Sequence, residues 1–182
     1  MAGHHTAIAN PFFSVGVQAD LMNSDINALY ISQSGLTMGD RDYYLDPENE
    51  NIRTAYKEYL GKLFRLAGIP EADIEKAVAG VMNIETKLAE KSWSNTELRD
   101  IPAQYNPTAK AEFEKTYDAI DWPAYYKAMG IGDFDTIIVT TKSSIANAND
   151  LMKNAPLEDI RYYLAAQYLD DAASYLSDAF PR

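Results

Sequence analysis

The chain has 182 residues, 47% of them hydrophobic, with 16 Lys and Arg against 27 Asp and Glu and a formal net charge of −11. That is enough apolar material to bury a core within one domain, which excludes a disordered chain; the acid is spread out and no Lys/Arg cluster offers the basic stripe that a phosphate backbone requires, which excludes nucleic acid. Apolar runs are as short as Ile137-Ile138-Val139, far below the roughly 18 residues of a membrane span, and zero Cys removes disulfides, thiolate nucleophiles and Cys-ligated zinc together.

In chain order, Phe13, Val15, Val17 and Ala19 alternate with polar or small neighbours, and residues 27–33 alternate in the same way. A period of two reads as a half-buried strand. Asn23-Ser24-Asp25 supplies turn formers between them, so Phe12–Asp20 and Asn27–Gln33 are predicted to pair as an antiparallel hairpin. A loop follows from Ser34 to Pro47. Ile52, Tyr56, Tyr59, Leu63 and Leu66 then mark a helix that stops at Gly68, a residue free to take positive φ. Pro70 opens the next, with Glu71 and Asp73 at its positive end and Ile74, Val78, Val81, Ile84 and Leu88 as its buried stripe.

Thr108 is predicted to cap a helix bearing Phe113, Tyr117 and Ile120, and Asp121 a shorter one ending at Gly130. The β-branched run Thr136–Thr141 reads as a strand, paired with the first hairpin or with something outside the chain. Ile145, Ala148, Leu151 and Met152 mark a further helix. Pro156 opens the last, with Leu157, Ile160, Leu164, Tyr168, Ala172 and Tyr175 along its apolar face and Pro181 as its end. The expected architecture is mainly α with a small antiparallel β element, helical hairpins packed beside a β-hairpin, in a single domain spanning 1–182.

No arrangement of residues carries chemistry. His4 and His5 are the only histidines; adjacent imidazoles diverge on any regular element, unlike the i, i+4 pair that one zinc ion needs, and they read as a fraying terminus or an expression remnant. Asp46, Glu48 and Glu50 imitate half a calcium loop, but Asn51 stands where the turn glycine belongs and Lys57 where the bidentate Glu belongs, so they read as an acidic helix start. Asp170-Asp171 and Glu112/Glu114 read as solvated helix faces rather than acid/base pairs. No nucleophile elbow and no Gly-rich phosphate loop is present. In the doublets Tyr43-Tyr44, Tyr125-Tyr126 and Tyr162-Tyr163, one ring is expected inside and the other along the flank. Catalytic and metal residues are therefore none, and substrate-binding residues are not assignable.

The stretch Pro11-Phe12-Phe13-Ser14-Val15, Asp20 with Asn23-Ser24, Gln33-Ser34-Gly35-Leu36 and above all Asp40-Arg41-Asp42-Tyr43-Tyr44-Leu45 resembles the N-terminal half of the neprilysin and endothelin-converting-enzyme family of zinc metallopeptidases. The likeness continues through Tyr105-Asn106-Pro107, Asp121-Trp122, the strand at 136–141 and Pro156-Leu157-Glu158-Asp159 to Tyr175-Leu176. One departure is Thr37-Met38-Gly39, where members often have Gly-Leu-Pro. The resemblance implies a helical, non-catalytic lobe that faces a C-terminal catalytic lobe across a closed cavity and limits access to small peptides. Zinc and its H-E-x-x-H helix are implied for the full-length parent alone, because none of those motifs occurs here. The alternative is a free-standing binding or interaction module, distinguished by whether the parent gene encodes H-E-x-x-H downstream. The lack of Cys fits a bacterial parent, exported to the periplasm or cell surface. Arg41 and Asp42 are expected to be structural, fixing the loop through charge-assisted bonds. A lobe without its partner should also expose apolar surface.

Overall fold

The structure is a computed structural model that describes residues 10–173. His4, His5, Tyr175, Leu176 and Pro181, singled out above, lie outside the described residues.

Strands β1 (Phe13–Ala19) and β2 (Asn27–Gln33) form the expected antiparallel hairpin, in register from Phe13↔Gln33 to Ala19↔Asn27. Its loop is tied by local bonds that compete well with extended backbone. The Asp20 carboxylate accepts from the Met22 and Asn23 amides at 2.8 and 3.1 Å, and the Asn23 side chain accepts from the Asp25 amide. Alternation holds only at the base of β1. Phe13 is buried, Val15 is half-buried and Val17 is 63% exposed, because the distal half of the hairpin leaves the core. In β2, by contrast, consecutive Leu29, Tyr30 and Ile31 are all buried, as in a strand covered on both faces.

The second half of the chain completes the sheet. β3 (Pro107–Ala109) and β4 (Thr136–Val139) give the order β1-β2-β4-β3, with β4 parallel to β2 and antiparallel to β3. The hairpin is thus one side of a mixed sheet, and the first hairpin is the partner of the 136–139 strand. Thr108 does not cap a helix. It lies in β3 opposite Ile137, since Asn106 exchanges bonds with Val139 (side-chain amide to Val139 carbonyl, 3.0 Å; Val139 amide to Asn106 carbonyl, 3.0 Å) and zips this segment to β4 before a helix can begin. The α-helices are α1 (Asp42–Leu45), α2 (Glu50–Leu66), α3 (Glu71–Lys91), α4 (Lys110–Thr116), α5 (Trp122–Met129), α6 (Lys142–Asn154) and α7 (Leu157–Ala173). Ile120, expected on α4, lies beyond its end. The indole of Trp122 donates to the Tyr117 carbonyl at 2.5 Å and turns the chain into α5.

Helices α2 and α3 form a hairpin. Gly68 at φ +83° lets the Ile69 amide reach the Phe64 carbonyl and the Gly68 amide the Arg65 carbonyl, a Schellman ending, and Pro70 starts the return. Asp121 accepts from the Ala124 amide at the start of α5, and left-handed Gly130 closes it. Helix α3 is the hub, packed against α1, α2, α6 and α7. It meets α7 closely at Gly80, where a Cβ would stand 3.1 Å from the Asp159 carboxylate.

Helix α7 corrects the expectation for its buried side. Leu157, Leu164 and Tyr168 face outward, Tyr168 being 74% exposed, while Tyr163 and Ala166 are buried. At 100° per residue these sets lie on opposite faces of one helix. Both faces are apolar, and α3 covers only one.

Candidate functional site

Residues 10–173 contain no His and no Cys, and among the described residues no group of three or more His, Cys, Asp or Glu could hold a metal ion. The acids that imitate a calcium loop serve the start of α2: Asp46 accepts from the Glu48 amide at 2.9 Å, and Glu50 pairs with Arg53 at 2.7 Å. Asp170 accepts a bond from Tyr59 at 2.5 Å, and burial together with that carboxylate pushes the Tyr59 phenol up to about 12. Glu112 is exposed, whereas Glu114 turns one buried carboxylate oxygen toward the Tyr126 region. In each Tyr doublet the second ring is buried: Tyr44, Tyr126 and Tyr163.

The Asp40–Leu45 run is a clamp on the end of α3. Arg41 donates from Nη1 to the Ser92 carbonyl at 2.9 Å, and Asp40 accepts from the Asn95 amide at 3.1 Å. Asp42 acts through its backbone, its carbonyl accepting from the Asn49 side chain. Gln33 doubles the clamp, donating to the Trp93 carbonyl and accepting from the Trp93 amide at 2.9 and 2.8 Å.

Beneath this run sits a buried polar cluster that the sequence reading missed. Glu85 on α3 is fully buried. Its Oε1 accepts from the Thr37 hydroxyl at 2.5 Å, the Thr37 amide at 3.1 Å and the Gln167 side-chain amide at 3.3 Å, while Oε2 has no hydrogen-bond partner. Burial pushes the Glu85 carboxyl up to about 6. The Tyr44, Tyr56 and Tyr163 phenols are all raised, first by burial and then by the charge of Glu85. Tyr163 donates toward the Gly35 and Pro11 carbonyls at 3.0 and 3.2 Å, a closeness that Gly35, at φ +92°, alone permits, since a Cβ there would run into that hydroxyl. A signal was present: Glu85 interrupts the α3 stripe of Val78, Val81, Met82, Leu88 and Ala89 at core spacing.

A groove of about 620 Å³ lies between β1, α5 and α7. Phe13, Val15, Tyr125, Met129, Leu164 and Tyr168 give it apolar walls, with Gln167 and Asp171 among its polar lining. Among the described residues β1 is the sheet's edge, with β2 as its only strand neighbour.

A profile of peptidase family M13, its N-terminal region, matches residues 1–182. The chain belongs to peptidase family M13. Mouse and human endothelin-converting enzyme 1 are 30% and 31% identical to this M13 chain, each over 94% of it and 23% of their own length. Neutral endopeptidase of Lactobacillus helveticus is 25% identical over 92% of the chain and 26% of its own length. The chain thus spans about a quarter of the length of the curated relatives it matches. In fold it is similar to a zinc metalloprotease of Mycobacterium tuberculosis in its open state, at a TM-score of 0.84 and 24% identity, over 92% of this chain and 26% of that one. PepO from Lactobacillus rhamnosis follows at 0.72 and 19%, over 92% and 27%. An M13 chain built this way, from 10 to 173, has the family's N-terminal fold without residues that fit a zinc site.

Proposed function

We propose that this chain is a non-catalytic lobe of a neprilysin-like zinc endopeptidase, a single domain that forms part of the wall of the substrate cavity and restricts the size of peptide admitted. The observation that carries the reading is the family match along all 182 residues together with relatives about four times as long. Those relatives are named as converting enzymes and endopeptidases, and one solved neighbour as a zinc metalloprotease in an open state. In such a parent we assign zinc chemistry to the part outside this chain, since no group among the described residues could hold the ion. The uncovered face of α7 and the adjoining groove are the surface we assign to contact with the rest of the parent, its catalytic lobe included. Peptides would meet this lobe as a boundary. Export is the compartment we propose for the parent, in a bacterium, since the absence of Cys fits a bacterial member better than a disulfide-rich animal ectodomain.

The experiment is to sequence and express the parent reading frame and to assay a short and a long peptide with and without chelator. The expected result is an H-E-x-x-H encoded downstream, chelator-sensitive cleavage favouring the short peptide, and no cleavage by the 182-residue chain. A parent without that motif, or zinc-dependent cleavage by this chain, would overturn the reading.

A further inference from the structure

The Glu85 cluster has no part in the role just assigned, and it combines features that a purely structural carboxylate would not need. We propose that Glu85, Thr37 and Gln167 form a proton-controlled tie that sets how firmly the 34–39 loop and α7 are held against α3.

The geometry joins three separate parts of the chain at one oxygen. Thr37 brings both its amide and its hydroxyl to Oε1, and the same hydroxyl accepts from Gln167 at 2.8 Å, so the loop and α7 reach α3 through a single carboxylate. Met38, the next residue, donates its amide to Tyr44 at 3.0 Å, which links the loop to α1 as well. The other carboxylate oxygen, Oε2, is enclosed and unpartnered. The titratable groups that act on Glu85 or feel its charge are Tyr44 of α1, Tyr56 of α2, and Tyr163 and Asp170 of α7, and none is a cation.

Ionisation therefore has two opposed effects. It strengthens the three bonds to Oε1 and is favoured by the nearby Tyr56 hydroxyl, as charge-assisted bonds are stronger, but it leaves a buried negative charge with no cation beside it, which is costly. Burial is the larger effect and raises the carboxyl from about 4.5 to about 6. A proton on Oε2 keeps Oε1 as an acceptor and removes the unpaired charge. The sign follows: the folded chain binds this proton more tightly than the unfolded one, so the stabilisation is complete below about 4.5 and is lost as pH rises through about 6. Acid tightens the tie, and neutrality loosens it. Gln167 also lines the groove, so the tie reaches the surface assigned to the rest of the parent; that consequence rests on the proposed function, whereas the tie itself does not.

The test is a carbon-detected titration of side-chain carboxyls in the 182-residue chain, with amide exchange at Thr37 and Met38 as a local readout. A Glu85 midpoint near 6 is expected, and protection at Thr37 should fall on the order of ten-fold between pH 5 and pH 7. Glu85→Gln keeps the shape and a neutral acceptor, so its protection should be the same at both pH values. Thr37→Val removes a hydroxyl bond that favours the ionised form and should move the Glu85 midpoint further up. A wild-type midpoint at the ordinary carboxylate value, or an equal loss of protection with pH in Glu85→Gln, overturns the proposal. Should Glu85→Gln fail to fold, the wild-type titration and the direction of the Thr37→Val shift decide it.

Discussion

Helices α3 and α7 pack side by side, and they use apolar residues differently. Helix α3 is enclosed by four neighbours and buries Ile74, Ala77, Val81, Ile84 and Leu88 with almost no remaining exposure, so even a carboxylate on that stripe is drawn inside. Helix α7 carries apolar residues on opposite faces, and among the described residues only one of them is covered. Periodicity identifies residues able to be buried; which of them are buried depends on what else surrounds the helix. The contrast is therefore between a helix whose apolar stripe is closed off and one whose second apolar face stays exposed among the described residues.

The widest gap between the two helices should appear in truncations. Ile84→Ala or Leu88→Ala, each made in a closed core, should cost about 2–5 kcal/mol, measured by denaturant unfolding of the 182-residue chain. Gly80→Val probes the seam between them. Its Cβ would press on the Asp159 backbone and the Tyr162 ring at 3.3 Å, so a loss of about 1–3 kcal/mol is expected; a neutral result would mean that α7 can move away freely. Arg41→Ala removes the charged donor to the Ser92 carbonyl at the end of α3 and should cost about 1.5–3 kcal/mol, without altering peptide turnover per folded molecule in the parent. Unchanged melting with altered turnover would make Arg41 functional instead. Leu164→Ala on the outer face of α7 should sit within about 0.5 kcal/mol of wild type. A loss as large as that at Ile84 would erase the comparison.

Much of this fold was legible because its punctuation is chemical. Asp121, Gly68 and Gly130 each end or start a helix through a bond or a backbone angle that their residue type favours, and the two strands of the hairpin followed from alternation. Three features were not legible, each for a non-local reason. Thr108 lost its role as a cap because β4, almost thirty residues later, pairs with it. Val17 left the core although its pattern is the same as that of Phe13, since alternation does not say how far the sheet's cover extends. Leu164 and Tyr168 were placed inside because nothing in one helix states which of two apolar faces the chain will cover. As for the site, Glu85 needed the three-dimensional convergence of Thr37, Tyr44, Tyr56 and Gln167 to stand out from an apolar stripe.

The account rests on the outer face of α7 being a contact surface for the rest of the parent. Because the chain has no Cys, Tyr168→Cys introduces the only thiol, and its rate of reaction with a small maleimide can be compared between the 182-residue chain and the full-length parent, each judged against its own denatured form and with any parental Cys outside this segment replaced. The account predicts rapid labelling in the isolated chain and labelling slowed at least ten-fold in the parent. Equal, rapid labelling in both would contradict it.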